Sequence, residues 1–350
     1  MSEQVTPPAE ASIHPGAGVP EKKGFTDYAR AFLGSAAGRN IGLVIALIVL
    51  IIIGTATAGD RFTSFDNILT VIRLASVTGV ISIGMTFVII GGGIDLSVGS
   101  VLGLSSVVAS LSMVQVAAEV WWPLIIIVAI AVGAFAGLVN GVVIAYGNVV
   151  AFMATLAMLL AARGLAEIFS NRTTQIVSVK GFLDFSRGNI AGVPNLIWIF
   201  LAVAIAGWIL LNRTTFGRRT VALGGNREAA RLAGINVKRH TVYLYVLAGV
   251  TSGIAAVMLM GRTNVGTSTH GTLYELDAIA AVVVGGTLLI GGRGSIVGTV
   301  LGILIFNVLI NIFTQNNLNT SVQAITKGAI IVAAVLIQQR FAARSSRSSG

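Results

Sequence analysis

From Val120 to Ala162 the chain carries no charged side chain, and this run is too long for one membrane crossing of about 20 residues. The dipeptide Gly147–Asn148 divides the run and is typical of a turn. Across the sequence 55% of residues are hydrophobic and only 10% are charged, whereas soluble domains carry about 25% charged residues. Because a spanning backbone must satisfy its own hydrogen bonds, these runs predict an all-α integral membrane protein.

The apolar runs number about ten, each long enough to cross a bilayer or nearly so. Counts of eight or nine stay open, because the second and eighth runs adjoin glycine-rich breaks. We therefore predict an all-α polytopic membrane protein of about ten transmembrane helices with broken or re-entrant segments. The predicted spans are Ile41–Gly59, Asn67–Ile90, Leu96–Ala118, two spans from Val120 to about Phe169, Leu196–Leu211, Thr241–Gly261, Ala278–Ile290, Ile296–Phe313 and Ser321–Gln339.

The polar ends define the domain organisation. Residues 1–39 contain four prolines, begin with acidic residues and lack an apolar core near Met1, which predicts a disordered segment without a cleaved signal peptide. Residues 40–340 form the predicted transmembrane domain, which includes a charged cytoplasmic loop at 213–240. Residues 341–350 are basic and serine-rich, and we expect a solvated tail.

The basic residues predict the orientation, because Lys and Arg near span ends favour the cytoplasmic side. An even number of spans places the three most basic segments on that side, with both termini in the cytoplasm of a bacterial inner membrane. The cytoplasmic set is Lys22, Lys23, Arg30, Arg39, Arg213, Arg218, Arg219, Arg227, Arg231, Lys238, Arg239, Arg340, Arg344 and Arg347, against Arg61, Arg172, Lys180, Arg187 and Arg262 opposite.

Several function classes find little support. The net charge of +10 lies in loops without interleaved aromatic residues, which disfavours nucleic-acid binding. Cysteine is absent, which excludes disulfides, thiolate metal sites and a cysteine nucleophile. Three scattered histidines show no metal-ligand spacing, and no Gly–Lys dipeptide exists from which to build a phosphate-binding P-loop. We therefore expect a protein that is not itself an enzyme and binds no cofactor or metal.

The stretch from Gly91 to Ser100 places one carboxylate, Asp95, among glycines between two apolar runs. An intramembrane carboxylate costs about 3 kcal/mol, and each helical glycine costs about 1 kcal/mol relative to alanine. This combination predicts a broken or re-entrant helix with a functional role. The alternative is a turn at the membrane face in which Asp95 caps the next helix, and the two interpretations are compatible.

A second glycine-rich break resembles the first. The segment from Gly92 to Leu104 aligns without gaps to the segment from Gly291 to Ile303, which favours an internal repeat with Asp95 opposite Gly294. Transporters with two related halves carry broken helices at corresponding positions. We predict a gate or hinge formed by Gly92, Gly93, Gly99, Gly291, Gly292, Arg293 and Gly298.

Small residues also recur four positions apart within several spans, which lets helix backbones approach closely. Packing within the bundle is favoured over a subunit interface. The pairs and triplets are Gly99 and Gly103; Gly133, Gly137 and Gly141; Gly249 and Gly253; and Gly298 and Gly302.

The charged loop contains a predicted short helix from Arg227 to Ala233 outside the membrane. Asn226 is suited to its N-cap and Glu228 to its first turn, while Gly234 is suited to its end. A helix that presents Ala229 and Ala230 suits a groove in a partner protein. The alternative is an interfacial helix that rests on lipid.

Three motifs together resemble those of the ribose-type monosaccharide permeases of ABC importers. They are Gly92-Gly-Ile-Asp-Leu-Ser-Val-Gly-Ser, Gly224-Gly-Asn-Arg-Glu-Ala-Ala-Arg-Leu-Ala-Gly-Ile-Asn and Gly291-Gly-Arg-Gly-Ser-Ile-Val-Gly-Thr, in the family's order, over about Asn67 to Gln339. The three motifs do not identify which sugar is moved. The chain departs from the family by a longer N-terminal segment and an extended basic tail.

This resemblance implies a type II permease, similar to the vitamin B12 importer, that pairs with a second copy or a paralogue. A cytoplasmic ATPase holding ATP and Mg would dock on the loop helix, and a periplasmic binding protein would deliver the monosaccharide. The implied ATPase-coupling residues are Asn226, Glu228, Ala229, Ala230, Arg231 and Gly234.

Hydroxyl-bearing substrates need hydrogen-bond partners along their path, for which the polar residues of the spans are candidates. For the asparagines, hydrogen bonding between helices is favoured over a place on the sugar path. We also expect an Arg163–Glu167 pair on one helix face, and Glu275 and Asp277 on the outer side. The path candidates are Asp95, Ser97, Ser100, Asn140, Asn307 and Asn311.

An ion-coupled secondary sugar transporter is the second functional hypothesis, with Asp95 or Glu167 as the proton carrier. The loop helix separates the two hypotheses, because a secondary transporter has no ATPase to receive it.

Overall fold

A computed structural model describes residues 36–347. The chain divides into two units, residues 1–39 and 40–350. Only the last four residues of the first unit are described, so the predicted disordered segment lies almost wholly outside the described residues. The fold below is that of the second unit.

Helices account for nearly all of the regular structure, as the apolar runs predict. Connections of differing length separate them, and many of these begin at glycine or asparagine. In chain order they are α1 (Ala36–Ala58), α2 (Asp60–Thr63), α3 (Phe65–Ile90), α4 (Val98–Ala109), α5 (Ser112–Val120), α6 (Pro123–Ala145), α7 (Ala151–Ser170), α8 (Lys180–Arg187), α9 (Asn195–Arg213), α10 (Thr215–Gly225), α11 (Arg227–Leu232), α12 (Val237–Thr263), α13 (Tyr274–Val284), α14 (Ile296–Gln315) and α15 (Thr320–Arg347).

Among the described residues, seven helices are long and apolar enough to cross a membrane: α1, α3, α6, α7, α9, α12 and α14. The pair α4 and α5 makes an eighth if it is taken as one bent span. The protein is therefore a polytopic all-α membrane protein, as predicted.

Two short antiparallel ribbons lie in the connections. β1 (Gln175–Ile176) pairs with β4 (Val265–Gly266), with Gln175 opposite Gly266. β2 (Asn189–Ile190) pairs with β3 (Val193–Pro194) as a hairpin. The first ribbon ties the connection after α7 to the connection after α12.

The core surrounds α3 and α12. Nearly every α3 side chain from Ala75 to Ile90 is buried, and α12 is buried over most of its length. By contrast, α1 exposes most of its apolar side chains, as a helix facing lipid does. Helices α3 and α12 are thus the two interior helices against which the broken segments are held.

Close backbone packing joins α6 to α12. A Cβ atom added at Gly137 would overlap the carbonyl oxygen of Tyr245, and one at Gly133 would overlap that of Gly249. A Cβ atom added at Gly141 would lie 2.7 Å from the Cα of Val242. The small-residue spacing of these helices therefore serves packing within the bundle.

The third predicted span is not one helix. The chain bends by 64° between α4 and α5, and Gln115 holds the second part in its new direction. Its amide nitrogen donates to the carbonyls of Ser110 and Ile176, both at 2.8 Å. The apolar run is continuous through the bend, so hydropathy alone predicted a straight helix.

Two other boundaries differ from the sequence predictions. The eighth predicted span ends as a helix at Val284, because Gly285 and Gly286 begin a turn that continues to Ser295. The last helix continues to Arg347, past the predicted boundary at residue 340, while residues 348–350 lie outside the described part.

Candidate functional site

The predicted loop helix exists as α11, one residue shorter than expected. At its start the side-chain oxygen of Asn226 accepts a hydrogen bond from the Ala229 amide at 2.9 Å, as an N-cap does. At its end Gly234 has a φ of +81°, and the Ile235 amide donates to the Ala230 carbonyl at 3.1 Å. This end is a Schellman motif, in which glycine supplies the left-handed residue. Both ends of α11 are therefore fixed by their own sequence.

The exposed face of α11 carries an ion pair. The Arg231 Nε donates to both carboxylate oxygens of Glu228 at 3.1 Å, and both side chains are largely exposed. The hydrogen bond from Arg231 lowers the pKa of Glu228 below its usual value, so the carboxylate stays ionised at neutral pH. Ala229 and Leu232 are exposed beside this pair.

The structure does not present both predicted alanines to a partner. Ala229 is exposed, but Ala230 is buried against the rest of the chain. The reason is helical geometry, because a residue adjacent to an exposed one points about 100° away from it. Arg227 adds a contact to the bundle, donating from Nη2 to the Thr241 hydroxyl at 2.9 Å.

A cavity of about 580 Å³ lies between α11 and the first glycine-rich break. Its wall includes the Gly91–Gly93 turn, the starts of α7 and α12, and the side chains of Arg227 and Arg231. Tyr245 also lines it, and its buried hydroxyl has no hydrogen-bond partner among the described residues. Nothing in the sequence distinguishes Tyr245 from an ordinary core aromatic residue.

Asp95 is buried at the start of α4, where its side chain forms a local turn. One carboxylate oxygen accepts from the Ser97 amide at 2.8 Å and from the Ser97 hydroxyl at 2.6 Å. Asn140 on α6 donates to the Ser97 hydroxyl oxygen at 2.9 Å, and the Ser100 hydroxyl donates to the Ser97 carbonyl at 2.9 Å. Four predicted path residues are thus brought together as one buried network.

This network makes Asp95 part of a local turn before α4, where Ser97 is the N-cap residue and no side chain caps the helix. All four side chains are 2% exposed or less, and the hydrogen bonds they make run within the chain. Asn307 lies apart from them, half-buried on α14, and donates to the Ile303 carbonyl of its own helix at 2.9 Å. Asn311 exchanges hydrogen bonds with Asn67 on α3 at 3.0 and 2.8 Å, which is the interhelical bonding kept as the alternative.

The two glycine-rich breaks share a construction. Each contains a left-handed glycine, Gly92 and Gly291, at aligned positions of the proposed repeat. The helix that follows each break also begins with a tightly packed glycine. A Cβ added at Gly99 would overlap the carbonyl of Gly271, and a Cβ added at Gly298 would overlap the carbonyl of Gly285.

The charged residues of the breaks differ in environment. Asp95 is buried, whereas Arg293 is exposed. Across the two broken segments, the hydroxyls of Thr86 on α3 and Thr299 on α14 bond at 2.7 Å, a contact that sequence inspection did not suggest.

The expected Arg163–Glu167 pair is wrong. Glu167 pairs with Arg172 at 3.2 Å, while Arg163 donates to the backbone carbonyl of His270 at 3.0 Å. The loop from Val265 to Leu273 crosses α4 at Gly103, which brings this carbonyl within reach of Arg163.

The two acidic residues of α13 are not alike. Asp277 forms an ion pair with Lys327 of α15 at 3.0 Å, and Glu275 is buried.

Within residues 36–347 no group of three His, Asp or Glu side chains lies together as a metal site would require.

Comparison with known proteins places these features in a family. Residues 67–335 match the family described as a branched-chain amino acid transport system permease component. The ribose import permease protein RbsC of Escherichia coli K12 is 41% identical over 85% of this chain and 92% of its own length. RbsC of Bacillus subtilis strain 168 is 42% identical over 86% of this chain and 93% of its own length. The xylose transport system permease protein XylH of E. coli K12 is 33% identical over 87% of this chain and 92% of its own length.

No solved structure matches the chain. The matched residues include both glycine-rich breaks and α11. The resemblance drawn from the three motifs is confirmed, and the chain belongs to this family of ABC transporter permease components.

Proposed function

We propose that this chain is the transmembrane permease subunit of an ATP-binding-cassette importer that moves a monosaccharide into the cytoplasm. The sugar is of the ribose, xylose, fructose or galactose class, which the relatives' names support for ribose and xylose. The observation that carries the proposal is α11, a helix fixed at both ends that exposes Glu228, Ala229 and Arg231 beside a broken span. Such a rigid exposed helix is suited to receive force from a partner.

The proposed architecture is the type II permease fold with ten crossings. The seven long helices give seven crossings. The bent pair α4 and α5, the helix α13 and the helix α15 each add one, which makes ten. With ten crossings the positive-inside rule puts both termini in the cytoplasm of the bacterial inner membrane. Two permeases, identical or paralogous, form the pore.

The proposed partners act at opposite ends of the bundle. A separate ATPase, which binds ATP and Mg, docks on α11 at the start of α12. A periplasmic binding protein delivers the sugar at the far end of α12, about 40 Å away for a helix of 27 residues. In this arrangement the chain itself supplies transport rather than catalysis.

Within this proposal, Asp95, Ser97, Ser100 and Asn140 position the broken span instead of lining the sugar path. Their mutual hydrogen bonds fix the start of α4 against α6. Asn307, half-buried on α14, is the remaining candidate for contact with sugar hydroxyls. The glycine-rich breaks are the proposed gate.

The ion-coupled alternative is not favoured. Asp95 is buried with its carboxylate bonded to Ser97, and Glu167 is held by Arg172. A secondary transporter would also leave α11 without a partner to receive it.

The test compares two exposed ion pairs. Glu228→Ala removes the pair on α11, and Glu167→Ala removes the pair with Arg172 at the other end of α7. We expect Glu228→Ala to abolish uptake of radiolabelled ribose and xylose while its membrane level stays normal, and Glu167→Ala to leave uptake near wild type. Normal uptake by Glu228→Ala would count heavily against coupling through α11.

A further inference from the structure

Three glycine-containing segments meet at one point. The first, Gly91–Gly92, follows α3; the second contains Gly224, in the last turn of α10; the third, Gly291–Gly292, lies between α13 and α14. The Gly292 amide donates to the Ile90 carbonyl at 2.8 Å, which joins the first break to the second across the molecule. We call this meeting point the glycine junction.

The contacts of the glycine junction are made by backbone atoms. A Cβ added at Gly224 would overlap the Ile90 carbonyl oxygen and lie 2.5 Å from the Gly292 nitrogen. A Cβ at Gly291 would lie 2.9 Å from the Gly92 Cα and 3.0 Å from the Gly224 oxygen. No side chain fits at these positions unless the backbone moves, so Gly224 packs directly against both breaks where they contact each other.

The end of α10 leads directly into α11. Gly225 is followed by Asn226, whose side chain caps the first turn of α11. No linker separates the exposed helix from the glycine junction. Arg227, Glu228 and Arg231 of α11 line the 580 Å³ cavity, while Ala230 is buried against the rest of the chain. A displacement of the first turn of α11 therefore reaches the two breaks through backbone in contact, which transmits strain because close-packed atoms compress little.

We propose that Gly224 is a positioning residue for transport, which makes α11 and both broken spans move as one body. The inference rests on the proposed function and adds a specific route from the ATPase to the gate. Side chains at the contact would rotate and absorb part of the motion, whereas bare backbone passes it on to Ile90 and Gly292 together.

The adjacent glycine provides a matched control. A Cβ added at Gly225 meets nothing within 4 Å, and the residue lacks a positive φ. Gly224→Ala and Gly225→Ala thus make the same chemical change at adjacent residues of α10, but only the first adds a methyl group that overlaps the two breaks. Neither changes the exposed face of α11.

The experiment measures sugar moved per ATP hydrolysed by the reconstituted permease–ATPase complex, with ribose as the probe. We expect Gly224→Ala to bind the ATPase as wild type does, yet to lower the ratio by about tenfold, the usual size of a coupling between sites. Gly225→Ala should keep the wild-type ratio. A wild-type ratio for Gly224→Ala would overturn the proposal and leave the proposed function intact.

Failure of the proposed function would look different, since the wild-type chain itself would then bind no ATPase. If the Gly224→Ala protein does not accumulate in the membrane, distance measurements in a chain that keeps Gly224 test the proposal instead. The chain has no cysteine, so spin labels can be placed at Gly225→Cys and at Ile290→Cys, which is 78% exposed. A third label at Leu160→Cys on the exposed side of α7 serves as the reference.

In the complex, we expect the distance between labels 225 and 290 to stay constant on ATP binding, while the distance from each to label 160 changes. A change in the 225–290 distance, or no change relative to α7, would overturn the proposal.

Discussion

Asp95 shows how one buried carboxylate organises its surroundings at the residue scale. Its oxygen holds the amide and hydroxyl of Ser97, and Ser97 in turn receives the Asn140 amide. The sequence predicted that this acid among glycines was important. It did not decide between a structural role and a place on the sugar path, because a carboxylate near the start of a helix fits either role.

Asp95→Ala tests the structural role of the turn that Asp95 forms with Ser97. Removing the carboxylate leaves two buried donors of Ser97 unpaired, so we expect the free energy of unfolding in detergent to fall by about 2 kcal/mol. Asp95→Asn keeps an acceptor oxygen and should lose less. If Asp95→Ala unfolds like wild type but no longer transports sugar, the residue lines the path instead.

His270 gives the protein a predicted response to acid. Burial, and then the charges of Arg262 and Arg163, lower the pKa of His270 to about 4 from its usual 6.5. The unfolded chain then binds more protons than the folded chain between these two values, so folding stability falls as pH drops from about 6.5 towards 4. We expect the melting temperature to fall over this range.

His270→Gln is the control, because it keeps hydrogen-bonding capacity towards Ser106 and Thr263 without a titrating ring. The variant should lose part of the pH dependence. An unchanged pH profile in this variant would show that other groups cause the acid response.

At the scale of the element, the packing of α6 on α12 depends on glycine. Gly137→Ala should lower the thermal stability markedly, because the added methyl would overlap the Tyr245 carbonyl and force the helices apart, at a cost of about 1–3 kcal/mol. Gly164→Ala on α7 is the matched substitution, since nothing lies within 4 Å of its added Cβ. It should be neutral or stabilising, and equal losses in the two variants would contradict the packing role.

The end of α11 supplies a second test at this scale. Gly234 has a left-handed backbone but open space around it, so conformation and not crowding limits substitution. Gly234→Val should disorder the end of α11 at a cost of about 1–2 kcal/mol and reduce ATPase binding. Gly234→Asn should retain more binding, because asparagine adopts this conformation; equal binding by both variants would contradict the role of the helix end.

Elements with local signals were predicted well. Asn226 and Gly234 defined α11 to within one residue, and Gly147–Asn148 marked the turn between α6 and α7, where Asn148 is left-handed. The bend after α4 was missed because Gln115, which anchors it, bonds to residues far along the chain. The Arg163–Glu167 pair was wrong for the same reason, since helix spacing says nothing about the loop that captures Arg163.

At the scale of the whole molecule, both glycine-rich breaks were predicted as hinges, but their contact with each other was not. Gly92 and Gly291 are far apart in sequence, and Gly224, which packs against both breaks, belongs to a charged loop. Contacts of this kind arise from the packing of α3, α10 and the segment after α13, which no local pattern encodes.

At all three scales we propose that the chain is a sugar permease driven by a separate ATPase through α11. The most direct test reconstitutes the purified permease and its ATPase in liposomes, with the binding protein and radiolabelled ribose on the opposite side. We predict sugar accumulation that requires ATP on the side of α11 and does not respond to an imposed proton gradient. Accumulation by the permease alone, driven by the proton gradient without ATP, would contradict the account.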